Sequence, residues 1–359
     1  MLSFELPGDA TFTEQARIDE VFAEPGFGVH FTDHMAVADW SITTGWGNDR
    51  IVINQPLGLG PGSAVFHYAQ EVFEGLKAYR HADGSVWLFR PEKNGERLAN
   101  SARRLALPQL PIEDFLTSVR NLVTLDERWV PAGHEQSLYL RPFIVAKEDF
   151  LGVRPAQDVS YILIASPVGS YFTGGVAPVD IWVSREYSRV ANGGTGHAKC
   201  GGNYAASLLP QELAYEQGCS QVLFVDNAQK RWVEELGGMN FFMVTASGQL
   251  VTPNLNGNIL PGVTRDSILT IAPELGLTPV ERPVELAEVT TGIADGSVTE
   301  LFACGTAAVI TPIGSLKDVD GTHQLEVRED SVTMALRNYL LDIQYGRRAD
   351  ERNWMVRVR

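Results

Sequence analysis

Lys199 stands in the run Asn192-Gly-Gly-Thr-Gly-His-Ala-Lys199-Cys-Gly-Gly-Asn-Tyr204-Ala-Ala-Ser207, with glycines at 193, 194 and 196 before it and at 201 and 202 after it. Glycine lets backbone approach a bound group closely. The apolar residues after Tyr204 read as the start of a helix, so the lysine is expected at the mouth of a glycine-walled site. A lysine amine there can form a Schiff base with a carbonyl compound once burial or a nearby cation makes it nucleophilic. Most lysines are instead solvated surface groups. Two phosphate-binding readings of the same glycines fail on spacing. A P-loop needs Gly-x-x-x-x-Gly-Lys-Ser/Thr, and the chain has Ala198 and Cys200 at the positions that would need glycine and Ser/Thr. A dinucleotide fingerprint begun at Gly194 needs glycine where Lys199 stands.

The elements around this lysine can be read from periodicity and breakers. Val86–Phe89 is strand-like, and a helix over 92–104 places Leu98, Ala102 and Leu105 at helical spacing. Pro108 and Pro111 stop it, and the next helix runs from Ile112 to about Val130. Strands are expected at 137–145 and 159–166. Two prolines and three glycines between Pro167 and Pro178 mark an exposed connector. Beyond it come a strand at 179–184, a helix from Tyr204 to Gln217 closed by Gly218, a hairpin at 221–235, a strand at 240–244, and helices near 263–275, 286–294 and 330–343. This mixture predicts two α/β-type domains: residues 1–170, a connector at 171–178, and residues 179–359. The tail from Gly346 holds five arginines and two acids and reads as a solvated end.

Bulk properties narrow the partners. The chain has 359 residues, 44% apolar and 20% charged, with a net charge of −15. That charge repels nucleic acid and anionic lipid, so neither is an expected partner. No apolar run has membrane-spanning length, and the N-terminus lacks the basic start and apolar core of a signal peptide. Cysteines occur only at 200, 219 and 304, with no Cys-x-x-Cys pair and no metal-ligand spacing; a reduced cytoplasmic protein without a metal site fits this pattern.

Several further stretches accompany the lysine segment: Phe31-Thr-Asp-His-Met35, Val72-Phe-Glu-Gly-Leu-Lys-Ala-Tyr79, Tyr139-Leu-Arg-Pro-Phe143, Glu235-Leu-Gly-Gly-Met-Asn240, Leu260-Pro-Gly-Val-Thr-Arg265 and Gly305-Thr-Ala-Ala308. In this order, over most of the chain, they resemble the branched-chain amino acid aminotransferases. These are pyridoxal 5′-phosphate enzymes of fold type IV, the D-amino acid aminotransferase-like group. The resemblance implies a mixed α/β (α+β) fold, a homodimer, and a place in amino-acid biosynthesis. It implies ping-pong transfer of the amine of L-leucine, L-isoleucine or L-valine to 2-oxoglutarate.

The resemblance also assigns residues. Lys199 is expected to carry the cofactor as an internal aldimine and to move the substrate's α-proton. Glu235 is the expected partner of the pyridine nitrogen. Its neighbour Glu234 should point the other way along a strand, into solvent. The cofactor phosphate is expected on the backbone amides of Val263 and Thr264, where a turn-rich lead opens a helix; a simply capped helix is the plain alternative. Thr306 and Arg97 would add phosphate contacts, while Arg103 and Arg104 read as surface residues. Tyr204 would meet the phenolic oxygen. Phe27, Tyr68, Phe73, Tyr139 and Tyr171 would form the apolar substrate wall, although each aromatic taken singly reads more as core than as pocket. Arg141 would read the distal carboxylate of glutamate, with the amides of Thr306 and Ala307 and the Tyr139 hydroxyl on the α-carboxylate. Leu151-Gly-Val153 resembles a loop that enters the partner subunit's pocket.

Two departures are visible. Where some animal relatives have a Cys-x-x-Cys pair, this chain has Ala308 and Thr311, so no thiol switch is expected. Gly238 replaces their threonine and widens the pocket. Two rival readings stay open at this point. One is another fold type IV enzyme, such as a D-amino acid aminotransferase or a lyase, against which Tyr139-Leu-Arg141 argues. The other is a phosphate-binding protein without covalent chemistry, against which the P-loop mismatches argue.

Overall fold

Strand alternation in the first part of the chain decides which side chains become core and which remain available for chemistry. The computed structural model describes residues 1–169 and 176–358. The chain divides into two units, one of Met1–Tyr171 with Ala198–Gly201 and Asp342–Arg359, the other of Phe172–His197 with Gly202–Leu341. The sequence-based division treats each domain as a continuous stretch, whereas these units interleave at 198–201 and at the C-terminus. The expected connector lies largely outside the described residues.

The first unit contains α1 (Gln15–Ala23), β1 (His34–Ser41), β2 (Gly45–Ile53), α2 (Ala64–Tyr68), β3 (Glu71–Phe73), β4 (Leu76–Arg80), β5 (Val86–Phe89), α3 (Pro91–Arg104), α4 (Ile112–Leu125), β6 (Ser137–Ala146) and β7 (Asp158–Val168). Its strands form an antiparallel sheet in the order β5-β4-β6-β7-β1-β2, with β3 also on β6. In β6 the residues Leu138, Leu140, Ile144 and Ala146 join the main core, shared with Leu98 and Ala102 of α3 and Phe115, Val119 and Leu122 of α4. Side chains alternate faces along a strand, so Tyr139, Arg141 and Phe143 point the other way. A one-residue slip in β6 would exchange these sets, so the long apolar register fixes where Tyr139 and Arg141 stand.

The second unit contains β8 (Val179–Ser184), β9 (Gln221–Val225), β10 (Val233–Leu236), β11 (Asn240–Thr245), β12 (Gln249–Thr252), α6 (Val263–Ile271), β13 (Thr278–Glu281), α7 (Leu286–Asp295), β14 (Val298–Gly305), β15 (Val309–Asp318) and β16 (Gly321–Gln324), with most of α5 (Gly201–Glu216) and α8 (Val332–Gln344). Strand pairing runs β10-β9-β8-β15-β14-β11, and β11 pairs back onto β10, which closes a ring. Closure removes open edges from those strands. The enclosed core includes Ile181, Leu223, Phe241, Met243, Leu301 and Ile313.

The tail corrects the sequence reading. β17 (Met355–Arg357) pairs antiparallel with β5, and Trp354 and Met355 are buried. Trp354 packs edge-on against Phe89, with the guanidinium groups of Arg90 and Arg352 over its ring. The arginine count suggested solvent, but the Trp-Met-Val run supplies an edge strand and the arginines cover its aromatic ring. Among the described residues no helix is long and apolar enough to cross a membrane.

Candidate active site

Many of the residues singled out by sequence gather in two places, one within each unit. In the first unit, Lys199 is half-buried, with its amine 4.8 Å from the centre of the Phe73 ring. Three bonds fix the backbone around it. The Lys199 N–H donates to Ser101 Oγ at 2.9 Å, the Phe73 N–H donates to the Lys199 carbonyl at 2.9 Å, and the Gly201 N–H donates to a carboxylate oxygen of Glu71. The Arg141 guanidinium lies 4.8 Å from the Phe73 ring centre and 5.3 Å from that of Tyr139. Arg141 also donates to the Tyr139 hydroxyl at 3.1 Å, and Phe27 packs edge-on against Tyr139 at 5.1 Å. The Tyr139 hydroxyl occupies the space that a Cβ on Gly75 would fill. Lys199, Phe73, Tyr139, Arg141 and Phe27 are therefore one cluster of an amine, a cation and an aromatic wall.

Helix α3 supports this cluster with a polar row. Asn94, Arg97 and Ser101 are buried and share one helix face. Arg97 grips Glu74 with two parallel bonds, Nε to Oε1 at 2.7 Å and Nη2 to Oε2 at 2.9 Å, and Asn94 adds an amide bond at 2.7 Å. Burial pushes the Glu74 carboxyl up, but Arg97, then Lys199 and Asn94, outweigh it and hold the group below its ordinary range. Glu71 behaves oppositely. Burial pushes its carboxyl up, and the Gly201 amide and Arg141 only partly oppose that.

The Tyr68 hydroxyl donates to the Leu151 carbonyl at 2.5 Å. Leu151 is 70% and Val153 90% exposed. Tyr171 lies outside the described residues.

In the second unit, Glu235 is buried and receives three groups. Arg189 Nη2 lies 2.5 Å from its Oε1, the Leu260 N–H donates to the same oxygen at 3.0 Å, and the Asn240 amide donates to Oε2 at 3.0 Å. Asn240 also donates to the Leu260 carbonyl, and its Oδ1 fills the place of a Cβ on Gly262. Gly262 begins α6, where no side chain caps the first amides and Thr264 is buried. The first-turn amides of Val263 and Thr264 therefore have no side-chain cap from Gly262, an arrangement suited to an anion. The turn carrying Thr306 and Ala307 follows Gly305, which lies against Met239 and the Gly238 carbonyl. A Cβ on Gly238 would sit 3.5 Å from the Tyr204 ring, an ordinary contact.

Glu234 departs from expectation. It is 1% exposed and takes the Asn258 amide at 2.6 Å. Strand β10 has a register shift against β9 between Val233 and Leu236, so simple alternation fails there. Both carboxylates reach the same loop, Glu234 at Asn258 and Glu235 at Leu260. Burial pushes the Glu234 carboxyl up, with Asn258 and Arg189 opposing.

Sequence reasoning missed Glu71, Glu74, Ser101, Asn240 and Arg189 as supports. Glu74 and Asn240 lay inside quoted motifs, but nothing in their spacing shows which buried partner each meets. Arg189 lies just outside the glycine run and carries no pattern of its own.

The chain is similar to known proteins over most of its length. The family described as amino-transferase class IV matches residues 71–316. The chain is 50% identical to the branched-chain-amino-acid aminotransferase of Mycolicibacterium smegmatis, covering 99% of this chain and 98% of that one. Among solved structures, the Escherichia coli branched-chain amino acid aminotransferase superposes with a TM-score of 0.75 at 28% identity, covering 90% of this chain and all of that one. The branched-chain amino acid aminotransferase of T.th., solved with pyridoxamine 5′-phosphate, gives 0.74 at 26% identity, covering 90% and 99%. The mixed α/β architecture is that of fold type IV, and the chain belongs to the branched-chain-amino-acid aminotransferases of class IV.

Proposed function

We propose that the chain transfers the amine of L-leucine, L-isoleucine or L-valine to 2-oxoglutarate, with pyridoxal 5′-phosphate held by Lys199. The observation that carries this reading is the Lys199–Phe73–Arg141–Tyr139 cluster. It sets an amine beside an aromatic wall that suits an aliphatic side chain and a guanidinium that suits a carboxylate.

The residue types present fit the cofactor. The first-turn amides of Val263 and Thr264 suit its phosphate, and the family resemblance adds Thr306 and Arg97, whose Nε and Nη2 also hold Glu74. The buried carboxylate of Glu235 suits its pyridine nitrogen, and the Tyr204 hydroxyl its phenolic oxygen. When bound, pyridoxal 5′-phosphate supplies an aldehyde that condenses with amines and a ring that accepts electrons from the substrate's α-carbon. Lys199 anchors it and carries the α-proton, a double task suited to an amine whose backbone is fixed by Ser101, Phe73 and Glu71. Arg141 pairs with the distal carboxylate of glutamate or 2-oxoglutarate. The Tyr139 hydroxyl and the amides of Thr306 and Ala307 take the α-carboxylate. Phe27, Phe73, Tyr68 and Tyr171 complete the apolar wall.

We extend the reading to a homodimer in which the Leu151–Val153 loop enters the partner subunit's pocket. The exposure of both apolar side chains supports this. The three free, buried cysteines suit a reducing cytoplasm.

The test is a product assay. L-leucine and 2-oxoglutarate are expected to give glutamate and the branched 2-oxo acid, and Arg141→Met is expected to raise the KM for 2-oxoglutarate far more than that for leucine. Activity with D-alanine and none with L-leucine contradicts the reading.

A further inference from the structure

Arg189 lies between β8 and the glycine run, and is 5% exposed. Its Nη2 lies 2.5 Å from Glu235 Oε1 and donates to the carbonyls of Gly196 at 3.0 Å and Asn258 at 2.6 Å. Gly196 must lack a side chain for this, because a Cβ there would run into the Asn258 backbone. One guanidinium thus ties together the segment leading to Lys199, the loop leading to α6, and Glu235. All of these contacts lie within the second unit. A buried guanidinium is costly unless it neutralises a carboxylate. Glu234 is the other buried carboxylate nearby, and burial pushes its carboxyl up.

Resting on the reading of Glu235 as the partner of the pyridine nitrogen, we infer that Arg189 is a positioning residue that fixes which of the two atoms holds their shared proton. Carboxylate and pyridine nitrogen are both bases, and one proton lies between them. Burial alone strengthens the carboxylate as a base and favours the neutral pair, with the proton on oxygen. A guanidinium against Oε1 weakens that oxygen as a base and stabilises its charge. The proton then resides on nitrogen, and no proton is gained or lost overall. A protonated ring is the form that draws electrons from the substrate.

The experiment uses the full chain saturated with pyridoxamine 5′-phosphate labelled with ¹⁵N in the ring, whose nitrogen resonance separates pyridinium from neutral pyridine. The wild type is expected in the pyridinium range, Arg189→Gln in the neutral range, and Arg189→Lys back in the pyridinium range. A folded Arg189→Gln whose resonance matches the wild type overturns the inference, because a purely structural role leaves the ring proton in place. Saturating cofactor assists folding of the variant by mass action. If Arg189→Gln still does not fold, Arg189→His replaces it. Its ring resonance is expected to move from pyridinium to neutral as the imidazole loses its proton with rising pH, and a resonance constant with pH overturns the inference. Glu235→Gln separates the two levels of the reading. A pyridinium signal unchanged in that variant removes Glu235 as the ring partner, whatever Arg189 does.

Discussion

Replacing Arg97 with methionine leaves Glu74, which is 0% exposed, without its main counter-charge. The Asn94 amide and the Gly75 N–H still bond to the carboxylate, but both are neutral. Removing one partner of a buried pair costs about 3–5 kcal/mol, because the remaining charge is stranded. For a unit of this size that corresponds to a fall of ~6–20 °C in melting temperature. Glu74→Gln should cost less than Arg97→Met, since the amide keeps some of the hydrogen bonds. The double variant should cost less than the two single costs added together. The assay is urea unfolding of the cofactor-free protein across this cycle, repeated as a function of pH. The Glu74 carboxyl is held below its ordinary range in the folded state. Its contribution is therefore present above the ordinary glutamate range and lost as pH falls through the depressed folded value. Wild-type stability should fall in acid more steeply than that of Glu74→Gln. Single costs below about 1 kcal/mol, the value of an exposed pair, together with parallel acid profiles, refute the reasoning.

Three further outcomes follow from buried geometry. His34 and Asp126 form a buried pair at 2.6 Å, and the Asp126 hydrogen bond raises the imidazole above its ordinary value despite burial. The stability this pair gives is full below about pH 6.5 and fades as pH rises through the raised folded value; urea midpoints of the wild type should drop over that window, while those of His34→Gln should not. Gly75→Ala puts a Cβ where the Tyr139 hydroxyl lies, so the KM for leucine should rise, and an unchanged KM would show that Tyr139 does not touch substrate. Cys200, Cys219 and Cys304 are buried, and burial pushes the Cys219 and Cys304 thiols up. A thiol reagent should therefore label none of the three until the protein is denatured, and rapid native labelling contradicts this.

Local signals were legible in the sequence wherever one chemical cause dominates. Helix α3, Pro91–Arg104, begins one residue before the stretch its apolar spacing implied and ends where expected. Strands β5, β6 and β7 lie where their apolar runs lie. The lysine segment gave the amine, and Tyr139-Leu-Arg141 gave two side chains that do share a face with Phe73. What was not legible depends on long-range pairing. The Trp354 edge strand needs β5 as its partner, which no local rule supplies. Glu234 looked solvated because alternation was assumed through β10, and the irregularity there changed its direction. Arg189 and Glu74 acquire their roles only from the groups they meet across the fold.

The central claim is that Lys199 is the amine that holds the cofactor. Borohydride reduction of the pyridoxal 5′-phosphate-loaded protein, followed by peptide mapping, tests it most directly. The account predicts one phosphopyridoxyl label, on Lys199 in the peptide spanning His197 to Tyr204. A label on any other lysine, or no label at all, contradicts it.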